Sequence, residues 1–137
     1  LAFVEGYDEA LSHLMFAGSD LYLMPSRFEP CGLTQMQAMR YGSIPVVTAV
    51  GGLVDTVTDA DLHRNGTGFV AGRTASDDLL AALFRAERRV RDRRRRAAIQ
   101  KRIMAIDWSW REPARDYVTL YGELAVNAQK PTAPSPR

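Results

Sequence analysis

Cysteine occurs once in this chain of 137 residues, as Cys31, and histidine twice, as His13 and His63. A lone thiol excludes an internal disulfide and fits a reducing compartment. The two histidines are not spaced as a metal pair, so no zinc or iron site is suggested. No apolar run approaches the roughly 18 to 20 residues needed to cross a bilayer, and no secretory signal pattern opens the chain. Neither G-x-G-x-x-G nor a phosphate loop ending in Lys-Ser/Thr is present, which argues against hydride transfer and nucleoside-triphosphate hydrolysis. No internal repeat is visible.

What is present is the composition of a soluble globular domain, 46% hydrophobic and 25% charged, at a size that buries one real core. The net charge of +2 hides an uneven distribution. Seven arginines fall within the nine residues from Arg88 to Arg96, interrupted by Val90 and Asp92, and the rest of the chain is mildly acidic. The chain opens on "LAFVEGYDEA" with no initiator methionine, and we expect a piece of a larger protein. Its end, "QKPTAPSPR", is expected to be a disordered tail over 129–137.

Short apolar runs at 1–4, 21–24, 44–48 and 68–70 read as strands. They alternate with helical stretches at 8–17, 33–41, 52–58 and 77–90. That alternation predicts an α/β fold, a parallel sheet covered on both faces by helices. Asp8 is placed to cap the first helix, whose apolar side would be Ala10, Leu11, Leu14 and Met15. In the second helix Leu33, Met36 and Arg40 share one side, while Gln35, Ala38 and Met39 offer another, partly apolar. The methionines read as core. Gly42 ends this helix, and Pro45 is expected at the edge of the strand that follows. Asp77 and Asp78 favour a helix start, with Leu79, Leu80, Leu83, Phe84 and Val90 as the buried stripe. Ile99, Ile103, Met104 and Ile106 continue a helical pattern. A last helix begins near Ser109 or Glu112, with Pro113 in its first turn and Tyr117, Leu120, Tyr121 and Leu124 on its apolar face.

Two strand-to-helix junctions carry glycine, "FEPCGLT" after strand 21–24 and "AVGGLVDT" after strand 44–48. Consecutive parallel strands would set them side by side at one sheet edge, where α/β proteins keep their ligands. Free amides there can hold a group with several negative oxygens, such as a diphosphate. Gly32, Gly51 and Gly52 would permit close approach, and Thr34 offers a hydroxyl. Glycine before a helix is ordinary turn chemistry when met once. Two such turns on neighbouring strands, one bearing Glu29, point to a ligand.

The run "SRFEPCGLTQMQAMRYGSIPVVTAVGGLVDTV" closely resembles the donor-binding half of the bacterial glycogen synthases and plant starch synthases. "GYDEALSHLMFAGSDLYLMPS" before it, and "GTGFV" and "IDWSW" after it, fit the same family in order, so the likeness covers about residues 1 to 125. It implies a Rossmann-like three-layer domain, one half of a two-domain GT-B enzyme. Those enzymes are retaining glucosyltransferases that extend an α-1,4-glucan at its non-reducing end. They use ADP-glucose, or UDP-glucose in related branches. The implied division is a donor-binding domain over 1–110, a C-terminal helix over 111–128 at the interdomain side, and the tail. No metal or other cofactor is implied, and no membrane. The partners would be the nucleotide sugar, the glucan and an N-terminal domain of the same enzyme. The location would be cytoplasmic in a bacterium and plastidial in a plant.

The resemblance also implies roles. Glu29 would be the essential acid at the donor sugar, and Tyr7 would lie against the nucleobase. Gly32, Leu33 and Thr34 would hold the distal phosphate and ribose, while Gly51 and Gly52 line the cleft. Cys31 is read as a lining residue, since no base is placed to activate its thiol, and His13 as structural. Many such enzymes carry a second glutamate where this chain has Gln37, which can bond a ribose hydroxyl but supplies no charge. The family's "S-R-L-x-x-x-K-G" segment, with its phosphate-neutralising cations, does not occur in the chain. The piece alone is therefore expected to be inactive. Two other readings compete: a non-catalytic nucleotide- or anion-binding module, and a nucleic-acid binder using the arginine block. The second lacks interleaved aromatics and a recognition motif, and Asp92 interrupts its charge.

Overall fold

The computed structural model describes residues 2–128, so the expected tail lies outside the described residues. The chain divides into two compact units, one through Ile106 and one from Asp107, slightly ahead of the expected boundary after 110. In the first unit α1 (Glu9–Gly18) leads to β1 (Leu21–Met24), α2 (Thr34–Arg40), β2 (Ile44–Thr48), α3 (Gly52–Thr56) and β3 (Phe69–Ala71). Two longer helices follow, α4 (Ser76–Arg91) and α5 (Arg93–Met104). The strands form one parallel sheet in the order β1-β2-β3.

Every residue of β2 is buried. Successive side chains of a strand point to opposite faces, so both faces of the sheet's centre are covered. The core joins Ile44, Val46 and Val47 to Phe69, Met39, Leu53, Ile99 and Ile103. Pro45 lies within this central strand rather than at an edge. The Ile44 amide donates to the Asp20 carbonyl, on the β1 side. The next nitrogen therefore faces β3, ahead of the first paired residues, Val46 and Phe69, where a missing N–H breaks no rung.

Asp8 caps α1 as expected, accepting the Leu11 amide at 2.9 Å. Residues 2–4 form no strand, however, and Phe3 and Val4 are exposed. An apolar run becomes a strand only when a neighbour takes its backbone groups, and none of the described residues does. Leu14 and Met15 are exposed for the same want of a covering element, and Phe16 is the buried residue of α1.

The buried face of α4 also differs from the expected stripe. Ala82 and Ala86 are fully buried, with Leu79, Leu83 and Val90 beside them, whereas Leu80 and Phe84 are exposed. A charge network turns the helix. Arg85 donates to both oxygens of the buried Asp59 at 3.0 Å, to Asp61 and to the Val70 carbonyl, and its guanidinium lies over Phe69. Arg89, one turn on, bonds Asp61 at 2.6 Å. Burial pushes the Asp59 carboxyl up. The hydrogen bonds from Arg85, Val70 and Asp61, with the guanidinium charge, outweigh burial and hold it below its ordinary value.

The arginine block does not form one surface. Asp92 ends α4 and caps α5, accepting the amides of Arg94 and Arg95. Arg89, Arg91, Arg95 and Arg96 pair with Asp61, Glu87, Asp92 and Asp20.

In the second unit α6 (Arg111–Ala128) starts one residue before Glu112. Pro113 falls in its first turn, where amides have no helical partner, and Trp110, Tyr117 and Tyr121 form a ladder of ring contacts. Among the described residues no helix is long and apolar enough to cross a membrane.

Candidate functional site

The register of β1 on β2, from Leu21 opposite Ile44 to Met24 opposite Val47, brings the two carboxyl ends together. Both glycine junctions leave from that one edge, and they touch. Thr48 Oγ1 donates to the Ser26 carbonyl at 2.5 Å, and the Gly52 amide donates to the Glu29 carbonyl at 3.2 Å. A Cβ on Gly51 would fall 1.7 Å from the Glu29 carbonyl oxygen, and one on Gly52 would fall 2.0 Å from that of Cys31. The room left by these glycines is filled by the backbone of the first junction. Gly51 also has φ +47°, a conformation that costs a residue with a Cβ about 1 kcal/mol or more.

The predicted residues can now be placed. Glu29 is half-buried, and Ser26 Oγ donates to its Oε2 at 3.3 Å. Cys31 is an exposed free thiol. Gly32 is buried with φ +69°, and Leu33 after it is exposed. The Gly32, Leu33 and Thr34 amides donate to nothing among the described residues. The Thr34 hydroxyl accepts from Tyr22 Oη at 2.9 Å, and its own proton goes to the weak thioether acceptor of Met24 at 3.7 Å. Gln37 is exposed on α2. Glu29, Cys31, Gly32, Gly51 and Gly52 thus form one constellation, with Leu33 and Thr34 at its rim.

Tyr7 and His13 belong to a different part of the unit. Tyr7 is 88% exposed and, with Phe3, Leu11 and Met15, lines an open groove of about 670 Å³. It makes no hydrogen bond or ring contact with the junction residues. His13 is half-buried, its Nδ1 lies 3.0 Å from Tyr41 Oη, and its ring meets Phe16 edge-on. Those contacts brace α1.

Two residues not read as part of the site lie beneath it. Gln35 is fully buried and donates to the Gly32 carbonyl and to Thr56 Oγ1. The one signal for Gln35 was its position beside Ala38 and Met39 on the partly apolar side of α2. Thr56 had none. Among the described residues, no group of three or more His, Cys, Asp or Glu is placed to hold a metal ion.

A family model described as "Glycosyl transferases group 1" matches residues 2–103. The chain is 54% identical over 121 residues to a glycogen synthase of Anaeromyxobacter sp. (strain Fw109-5), covering 88% of this chain and 26% of that protein. To a glycogen synthase of Leptothrix cholodnii it is 49% identical over 124 residues, again with 88% and 26% covered. Among solved structures it resembles the catalytic domain of starch synthase IV from Arabidopsis thaliana bound to ADP and acarbose. The TM-score is 0.80 at 42% identity, covering 86% of this chain and 25% of that one. Sucrose-phosphate synthase from Thermosynechococcus elongatus shares the fold with a TM-score of 0.63 at 25% identity, covering 92% and 30%. The chain therefore spans about a quarter of the length of the glycogen synthases it matches.

Proposed function

The chain belongs to the glycosyl transferases of group 1, and on that premise we propose that it is the donor-binding part of a retaining glucosyltransferase. Its donor is ADP-glucose, and the acceptor is the non-reducing end of an α-1,4-glucan. The observation that carries this reading is the contact between the two glycine junctions, which sets a carboxylate and a row of free amides on one sheet edge. The likeness to a starch synthase structure that holds ADP supports the nucleotide.

Transfer from a nucleotide sugar gathers positive charge at C1 and the ring oxygen and negative charge on the leaving diphosphate. The amides of Gly32, Leu33 and Thr34 serve the diphosphate, since fixed donors aimed at developing charge need no reorganisation. Glu29 serves the sugar, holding its hydroxyls and favouring the positive centre. Cys31, Gly51 and Gly52 shape the wall between them. Gln37 reaches a ribose hydroxyl, Tyr7 lies against the base, and His13 holds the helix that follows Tyr7. The acceptor site and the cations that neutralise the diphosphate lie outside this chain, so this chain alone does not turn over. In a bacterium such an enzyme would work in the cytoplasm.

The test is Glu29→Gln in the complete protein. Loss of a charged contact used mainly in the transition state costs roughly 3–4 kcal/mol, a fall in kcat of about 10²- to 10³-fold. The dissociation constant for ADP should change less than threefold, and ADP should bind tighter than UDP. A variant within threefold of the parent kcat removes Glu29 from the reaction. A parent that binds nucleotide but transfers no glucose, with glucan primer present, leaves the binding-module reading in its place.

A further inference from the structure

Gln35 is polar, fully buried, and unexplained by any donor role. Its Nε2 donates to the Gly32 carbonyl at 2.6 Å and to Thr56 Oγ1 at 3.0 Å. Thr56 Oγ1 donates in turn to the Gly52 carbonyl at 2.8 Å. Two side chains thus connect the glycine turns. Gln35 Oε1, by contrast, has no hydrogen-bond partner among the described residues. A buried amide left half-satisfied is poorer for stability than an apolar side chain of the same shape. Stability alone therefore does not select glutamine here. A Cβ on Gly32 would lie 2.6 Å from Oε1 and 2.8 Å from Nε2, so glycine at 32 is required for the amide to sit where it does.

We propose that Gln35 is a positioning residue, which with Thr56 forms a clasp that aims the Leu33 amide at the donor diphosphate. The inference rests on the donor-binding reading given above. In a planar trans peptide the C=O and the N–H point in opposite directions. Drawing the Gly32 carbonyl inward to Gln35 turns the Leu33 N–H of the same peptide outward. The other links between the junctions act earlier in the loop, at the Ser26, Glu29 and Cys31 carbonyls. Only the clasp, among the described residues, sets the 32–33 peptide plane.

The experiment compares Gln35→Met, close in shape but without donors, with Thr56→Val and the double variant, all in the complete protein. ADP dissociation constants and thermal midpoints are measured together, with hydrogen exchange of the Leu33 amide in the absence and presence of ADP. Gln35→Met should weaken ADP binding about five- to tenfold and Thr56→Val by less. The double variant should be no weaker than Gln35→Met, because both changes break one path. The protection that bound ADP gives the Leu33 amide should shrink in each variant while the thermal midpoint moves little. Lowered midpoints with ADP affinity within twofold of the parent overturn the proposal, as do fully additive losses. Should Gln35→Met fail to fold, unchanged affinity in Thr56→Val overturns it equally. A parent that binds no ADP overturns the donor-binding reading instead, and this is seen before any variant is measured.

Discussion

Gly51→Ala tests whether the second glycine turn is built for contact with the first junction. The added Cβ would sit 1.7 Å from the Glu29 carbonyl oxygen and 2.8 Å from its carbon. Carbon–oxygen contacts settle near about 3.3 Å, so the two backbones must part by roughly 1.6 Å. Three costs follow. Overpacking between backbones that cannot change rotamer costs about 1–3 kcal/mol. The conformation at φ +47° adds about 1 kcal/mol for a residue with a Cβ. Separation also breaks the hydrogen bond from the Gly52 amide to Glu29, worth about 1 kcal/mol. The sum, about 3–5 kcal/mol, is a large part of the roughly 5–15 kcal/mol that holds a domain folded. Urea unfolding of parent and variant measures it directly, with Gly18→Ala as a control. A Cβ at Gly18 meets nothing within 4 Å, and that change should be neutral or slightly stabilising. A Gly51→Ala variant within 1 kcal/mol of the parent would refute the packing argument and return the glycine to the role of leaving room for a ligand.

Two further outcomes are expected. The Asp59 carboxyl titrates below its unfolded value, so its stabilising contribution is complete above about pH 4 and is lost as pH falls through the lower folded value. Asp59→Asn should therefore flatten the acid limb of a stability–pH curve, and cost about 2–4 kcal/mol near neutrality because Arg85 loses its buried partner; an acid limb of unchanged slope would show that other carboxylates carry it. A single-stranded RNA 20-mer should not bind tighter than about 10 µM at ~0.15 M salt, since four of the block's arginines are already paired; saturable binding at lower concentration, read by fluorescence anisotropy, would revive the nucleic-acid reading.

Where the sequence was legible, local chemistry was deciding. Asp8 announces α1 because a cap acts across three residues, and β2 announces itself because five consecutive residues are buried whatever else happens. Where it misled, a distant partner was deciding. Leu80 and Phe84 are larger and more apolar than Ala82 and Ala86, and periodicity alone favours them. The face of α4 is set instead by Arg85 reaching Asp59, 26 residues earlier, and no pattern within the helix contains that information. Residues 2–4 have the composition of a strand but lack a pairing neighbour among the described residues. The site shows the same division. The glycines at 32, 51 and 52 were visible, but the reason for the last two was not. It is a carbonyl oxygen of another loop, which becomes a neighbour only once β1 and β2 are paired.

That dependence constrains how the proposed chemistry can vary. Glu29 presents its carboxylate from a loop, and loops are ordinarily the mobile part of a fold. Here the Glu29 carbonyl is bonded to Gly52, Ser26 three residues earlier is bonded to Thr48, and Gly32 is bonded through Gln35 to Thr56. Each tie ends on β2 or on the turn and helix that follow it, and β2 cannot shift its register without moving five buried side chains. The backbone at Glu29 is thereby tied to the most completely buried strand in the unit and to the turn that follows it. A change at Thr48, Gly51 or Thr56 should accordingly act on transfer through Glu29 and the Leu33 amide, although none of the three need touch the donor. Exposed residues such as Gln37 and Leu33 can vary in side chain with far less effect on that geometry, because what the proposed site would take from Leu33 is its backbone.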